Sequence, residues 1–245
     1  MEASVYEAEF ENESTHWWFV QRRNLFARLL DPDLKPGNAR FLDVGTSTGT
    51  NLRLLTGLGF SNVVGVELNP DAAEFARQKT GVEVVVADST ALPFENNEFD
   101  CVFATDVIEH IENDEAALKE LARVLRPGGK LIITVPAFMS LWGLQDDLSH
   151  HHRRYRMHQL RRVVVGAGLT INESFYFNFL LFPAVFLVRR LMRVFPLKIR
   201  SEGDLNAGGL NFVLSAVFNL DCRLARRLRV PFGVSACVVC SRPES

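Results

Sequence analysis

Four apolar runs that each reach an acidic residue at their C-terminal end constrain this chain more than any other feature. They are Phe41-Leu-Asp43-Val44, Val63-Val-Gly-Val-Glu67, Val84-Val-Val-Ala-Asp88 and Val102-Phe-Ala-Thr-Asp106. Runs this short and this continuously apolar read as strands buried on both faces. The pattern predicts strands at Arg40–Val44, Asn62–Val66, Val82–Val86, Phe99–Ala104 and Lys130–Val135. Helical periodicity fills the gaps, through Leu58, from Pro70 to about Lys79, and from a cap at Asp114 to Leu125, where Arg126-Pro127-Gly128-Gly129 stops it. Strand and helix in strict alternation predict an α/β fold with a mostly parallel sheet and helices on both faces. After Pro136 the rhythm changes. A His-rich loop spans Phe138–Tyr155, followed by a helix at Met157–Ala167, a sixth strand at Thr170–Phe177 and a seventh at Val234–Cys240.

The chain is 245 residues long, 47% hydrophobic and 23% charged, which suits a sizeable core. Its net charge of −2 hides an asymmetry. Residues 1–150 carry 12 Lys/Arg against 24 Asp/Glu, and residues 151–245 carry 15 against 5. Either the two parts neutralise each other within one fold, or the basic part faces an acidic partner such as a phosphate-bearing substrate or an anionic membrane. The scattered cysteines, Cys101, Cys222, Cys237 and Cys240, make no disulfide framework and fit a cytoplasmic setting. Residues 1–15 are polar, are expected to be mobile, and do not resemble a secretory signal. Phe175–Val188 is uncharged over 14 residues but is short for a membrane span and contains Pro183.

The turn Gly45-Thr46-Ser47-Thr48-Gly49 between the first strand and its helix is a ligand loop. Gly45 permits a tight turn, and the helix behind it aims backbone amides at the bound group. Ser47 stands where a dinucleotide loop has its second glycine, and Asp43 at the mouth opposes a diphosphate. A cation suits the site better, and S-adenosylmethionine carries an ammonium and a sulfonium without phosphate. Glu67, 24 residues after Asp43, is placed to accept both hydroxyls of a ribose. Asp88 is placed for an adenine amino group, and Asp106–His110 for the methionine end. Any one of these carboxylates could be a helix cap; several at successive strand ends beside a topological switch point are harder to explain that way.

Together, FLDVGTSTGT, GVELNP, ADSTALPFENNEFDCVFATDVIEHI and LKELARVLRPGGKLIITVP resemble the successive motifs of class I S-adenosylmethionine-dependent methyltransferases, specifically the type 11 methyltransferase family. The resemblance covers roughly residues 38–137. It implies a Rossmann-like seven-stranded sheet with an antiparallel last strand, and S-adenosylmethionine as cofactor with S-adenosylhomocysteine as product. The cofactor-binding residues expected from motif and position are Asp43, Gly45, Thr46, Ser47, Gly49, Glu67, Leu68, Asp88, Ser89, Thr105, Asp106 and His110. The family usually has Cys-Gly or Ser-Gly where Thr46-Ser47 stand here. The segment HWWFVQRR resembles a helix that closes over the cofactor, with Arg22 or Arg23 available to the methionine carboxylate and Trp17 against the adenosine or the substrate; Trp17 and Trp18 as plain core anchors are the competing reading.

The loop LWGLQDDLSHHHRRYRMHQL follows the fifth strand and is the second concentration of chemistry. His150, His151 and Asp146 are the candidate catalytic residues, since an imidazole near neutral pH takes a proton from an acceptor hydroxyl or amine. Trp142, His152 and Tyr155 are candidate substrate contacts. A purely structural loop competes with this reading, and a metal ranks last because consecutive histidines space ligands poorly; no metal site is expected. The chain thus divides into an N-terminal segment with a capping helix (1–36), a cofactor domain (37–177 with 233–245) and a helical insertion (178–232) before the last strand. The insertion reads as two amphipathic helices, Arg-rich on one side, suited to cover an apolar acceptor, touch a membrane surface or form a homodimer. The expected activity is methyl transfer to O or N of a small-molecule or lipid- or glycan-linked acceptor, with no nucleic-acid partner. A non-catalytic cofactor-binding module and an NAD-dependent oxidoreductase are the rivals.

Overall fold

The computed structural model describes Tyr6, residues 10–194 and residues 208–244. The strands are β1 (Phe41–Val44), β2 (Val63–Glu67), β3 (Glu83–Val86), β4 (Phe99–Thr105), β5 (Leu125–Pro136), β6 (Thr170–Phe177) and β7 (Ser235–Ser241). They form one sheet in the order β3-β2-β1-β4-β5-β7-β6. Strands β1 to β5 pair in parallel, and β7 runs antiparallel to both β5 and β6. The helices are α1 (Trp17–Leu29), α2 (Thr50–Gly57), α3 (Pro70–Thr80), α4 (Asp114–Val124), α5 (Leu144–Leu148), α6 (Met157–Gly166), α7 (Phe182–Val194) and α8 (Gly208–Leu228), with 3-10 turns at Ile108–His110 and Met139–Leu141.

Local chemistry sets the boundaries. Asn69 caps α3 by accepting from the amides of Asp71 and Ala72, Pro70 opens it, and Gly81 closes it at φ 69°. The cap of α4 is Asn113, which accepts from Ala116 N, rather than the expected Asp114. Asp114 is buried and serves Tyr155 instead. Strand β5 also begins earlier than expected, at Leu125. Leu125 pairs with Phe99, and Gly128 and Gly129 bond the backbone of Arg242 beyond β7, so the Pro-Gly-Gly segment is the start of this interior strand rather than a loop.

Two apolar layers sandwich the sheet. One packs Leu118, Leu121, Leu160 and Val164 from α4 and α6 against β4 and β5. The other packs Leu25 and Phe26 from α1, Leu52 and Leu55 from α2, Ala73 and Ala76 from α3, and Phe218 and Cys222 from α8. The alternation of β7 sends Cys240 to the first layer and Cys237 to the second, as its period of two requires. Helix α8 is therefore not a separate cap: its inner face belongs to the core of the cofactor domain. Phe218 stacks with Trp18 and meets Trp17 edge-on, and Gln21 donates to Ser215 at 2.8 Å, joining α1 to α8. The strand order reverses direction between β1 and β4, so a crevice opens at their carboxyl ends.

Candidate functional site

The turn after β1 has the backbone a ligand loop needs. Gly45 (φ 69°), Ser47 (φ 49°) and Gly49 (φ 83°) are all left-handed. A Cβ at Gly45 would stand 2.5 Å from Val107, so only glycine fits where the turn crosses the exit of β4. Asp43 is fully buried and accepts from the Asn51 amide at 2.9 Å. Asn51 also reaches Thr105 Oγ1 at 2.9 Å, tying the turn's helix to the end of β4. Thr46 is buried and donates to the Asp43 carbonyl at 2.9 Å.

Glu67 closes β2. One carboxylate oxygen accepts from Ser47 N at 2.9 Å and the other from Asn69 N at 3.0 Å. Each oxygen keeps a lone pair for a hydroxyl, the arrangement a ribose diol requires. Leu68 beside it is 67% exposed, an apolar surface for a flat base. Asp88 is exposed and accepts from Thr90 N and Oγ1, both at 2.8 Å; Ser89 next to it is half-buried.

At the exit of β4, Asp106 takes a left-handed φ of 57° and forms an ion pair with Arg22. The Arg22 guanidinium lies 5.3 Å from the ring centres of both Trp18 and Phe26. Arg22 thus stands at the exit of β4, whereas Arg23 donates to the Glu13 carbonyl. Trp17 packs on Phe218, and its amide donates to Asn211, so it anchors α1 to α8 and the core reading holds for it. The segment expected to be mobile also contributes. Glu13 is buried and accepts from Thr48 Oγ1 at 2.6 Å and Thr50 Oγ1 at 2.7 Å beside Lys79. Burial alone would raise its carboxyl; these bonds hold it below the ordinary value.

The His-rich loop winds around Asp146, which is fully buried. Its carboxylate accepts from Arg154 Nε at 2.7 Å and Nη2 at 2.9 Å and from Gly143 N at 2.7 Å, and it meets His151 Nδ1 at 2.8 Å. Burial opposes its charge, but His151 and Arg154 prevail and hold its carboxyl down at about 2. A carboxylate so occupied positions its neighbours and takes no proton from an acceptor, which corrects its expected catalytic role. His150 is exposed at φ 54° on a turn outside this cluster. Tyr155 is 3% exposed and donates to Asp114 Oδ2 at 2.6 Å; it is a core residue, not a substrate contact. His152 is exposed, with its amide on the Glu109 carbonyl, and Trp142 donates to Asp147 at 2.8 Å.

The fold adds a meeting that spacing does not show. His110, on the 3-10 turn after β4, stands edge-on to His151 with ring centres 4.5 Å apart. Glu109, fully buried, joins them. Burial, then the His151 charge, lowers His110 to about 4, so its imidazole is neutral at pH 7. Burial, then Asp106, pushes the Glu109 carboxyl well above its ordinary value.

The fold is similar to the Rossmann-like fold of class I S-adenosylmethionine-dependent methyltransferases. Paired acceptors on Glu67, the apolar Leu68 and a serine in place of the second loop glycine fit an adenosine without a diphosphate. Residues 42–133 match the family model described as a methyltransferase domain. Among curated relatives, phosphoethanolamine N-methyltransferase 3 of Arabidopsis thaliana is 36% identical over 42% of this chain and 22% of its own. A probable tRNA methyltransferase 9B of Mus musculus is 38% identical over 42% of this chain and 23% of its own. The first relatives are matched over about half of their length, 45% and 59%. The solved phosphoethanolamine N-methyltransferase 2 of Haemonchus contortus superposes with a TM-score of 0.66 at 18% identity, over 98% of this chain and 58% of its own, which shows the shared fold.

Proposed function

We propose that the chain is an enzyme that transfers the methyl group of S-adenosylmethionine to an oxygen or nitrogen of a small-molecule or lipid- or glycan-linked acceptor. The observation that carries this reading is Glu67: a buried carboxylate at the carboxyl end of β2, next to the strand at the switch point, with an acceptor site left on each oxygen and an exposed leucine beside it. Glu67 would hold the ribose, Leu68 and Asp88 the adenine, and the Arg22–Asp106 pair the methionine carboxylate and ammonium. The bound cofactor supplies an activated methyl as a sulfonium. The acceptor's lone pair forms the new bond to carbon, the broken bond's electrons stay on sulfur, and the acceptor's proton leaves to a base or to water. Alignment accounts for much of such a rate. The His110–His151 corner supports polar handling of the acceptor, and the exposed Leu187, Leu191, Phe212 and Leu220 on α7 and α8 support an acceptor carried on lipid. Among the described residues no helix is long and apolar enough to cross a membrane. The relatives' names include both a phosphobase and a tRNA enzyme, so the acceptor class rests on this chain's own surface.

Calorimetry with S-adenosylhomocysteine tests the cofactor site. Glu67→Ala should weaken binding by about 10- to 100-fold, the worth of two charge-assisted hydrogen bonds partly offset by water. Absence of heat with the unaltered chain, or an unchanged affinity in a folded Glu67→Ala variant, would overturn the reading. Labelled cofactor that binds without labelling any acceptor in extract would favour a binding module instead.

A further inference from the structure

We propose that Glu109, His110 and His151 form a binding site for one first-row divalent cation of the zinc type, with a coordination position left open. The three side chains each offer a ligand atom, and these atoms all lie within 4.8 Å of one another. Ligands about 2.1 Å from a tetrahedral zinc stand roughly 3.4 Å apart, so modest side-chain rotations close the set.

The second observation is Glu109 itself. It is fully buried, and neither carboxylate oxygen has a hydrogen-bond partner beyond a weak approach of its own amide. A buried carboxylate costs several kcal/mol unless something compensates it. The neighbouring charges are already matched elsewhere. Arg22 pairs with Asp106, and Arg154 pairs with Asp146. Among the described residues, Glu109 has no ion pair of its own. A cation between it and the two imidazoles supplies the missing charge.

The imidazoles are dressed as metal ligands usually are. A ligating histidine commonly gives its other ring nitrogen to a carboxylate or carbonyl, which fixes the tautomer and the ring plane. His151 Nδ1 is held by Asp146 at 2.8 Å, which leaves Nε2 as the donor. His110 is engaged by the Ser149 backbone, and its ring stands edge-on to His151 with ring centres 4.5 Å apart. Two imidazoles and one carboxylate are the donor set of open catalytic zinc sites and of related first-row ions. The four cysteines are buried, and none is among these ligands, so the site is an N,O site. The open position would take an oxygen or nitrogen of the acceptor and favour its deprotonated form.

The full chain, freed of metal with a chelator, is titrated with Zn2+ by calorimetry and with Co2+ by visible absorption. One equivalent should bind. Glu109→Gln and His151→Gln should each weaken it by at least 100-fold, and Asp146→Asn by about 10- to 100-fold through the lost orientation of His151. His150→Gln and His152→Gln, on the exposed neighbours, should leave metal affinity within a factor of about three. X-ray absorption on the unaltered zinc protein gives a second reading that needs no variant: two imidazoles and no sulfur. Absence of stoichiometric binding, equal affinity in folded Glu109→Gln and His151→Gln variants, or sulfur in the spectrum would overturn the site. S-adenosylhomocysteine calorimetry on the same metal-free sample separates this outcome from failure of the methyltransferase reading.

Discussion

Replacing Asp146 by asparagine should destabilise the chain by about 3–5 kcal/mol. The residue is fully buried and meets Arg154 through two bonds, His151 through one and the Gly143 amide through a fourth. Arg154 is itself only 6% exposed, so the substitution strands a cation out of water, and breaking one half of such a pair costs about that much. The same contacts hold the carboxyl at about 2, below its ordinary 3.8, a lowering on the order of 2–3 kcal/mol. For a chain of this size that predicts a fall of roughly 6–20 °C in Tm, read by calorimetry, with urea unfolding giving the free energy directly. The sign with pH follows. The folded carboxyl is lowered, so its contribution is complete above about pH 4 and lost as pH falls towards 2; the asparagine variant should lack that acid-sensitive component. Asp147→Asn, at the exposed partner of Trp142, is the control and should shift stability by less than about 0.5 kcal/mol. A loss below about 1 kcal/mol for Asp146→Asn, with Arg154 still folded in place, would refute the claim that the His-rich loop is organised around this charge.

Phe218→Ala should cost about 3–5 kcal/mol in urea unfolding, because it removes a fully buried ring shared by Trp17, Trp18 and Phe177; an effect under about 1 kcal/mol would mean that α8 is not part of the core. His110 should titrate near pH 4 by NMR. Its folded pKa lies below the unfolded 6.5, so its stabilisation is full above about pH 6.5 and is lost as pH falls towards 4; a midpoint above 6 would contradict its burial against His151.

Periodicity and breakers carried the strand–helix alternation far, because buried parallel strands must be apolar at every position while their helices need only one apolar face. The positions of the glycine turn and of Glu67 were legible for the same reason: both sit at strand ends. The loop was not. Asp146, His150, His151 and His152 look alike on paper, and only the chain's path decides that His151 turns inward while His150 and His152 stay exposed. Asp114 and Tyr155 lie 41 residues apart, and no spacing rule couples them. The same holds for His110 and His151, whose meeting depends on β4 and β5 ending side by side. Glu13 lay in a segment whose polarity suggested motion, yet Thr48, Thr50 and Lys79 hold it fast.

The charge asymmetry resolves along similar lines. Of the arginines beyond residue 150, Arg153 and Arg154 reach back to Asp114 and Asp146, and Arg189 approaches Asp146 at 3.8 Å. Those contacts are neutralisation within the fold, so they cannot also serve an acidic partner. Arg226 is held by Glu173 through two bonds of 2.7 Å. Among the described residues the exposed arginines of this part include Arg156, Arg161 and Arg162 at α6, Arg190 on α7, and Arg223, Arg227 and Arg229 on or just after α8; Leu187, Leu191, Phe212 and Leu220 are exposed on α7 and α8. The basic character of the second part thus divides by burial. Arg154 and Arg189 are buried around Asp146 and help to organise the His-rich loop, whereas exposed arginines lie on α6, α7 and α8.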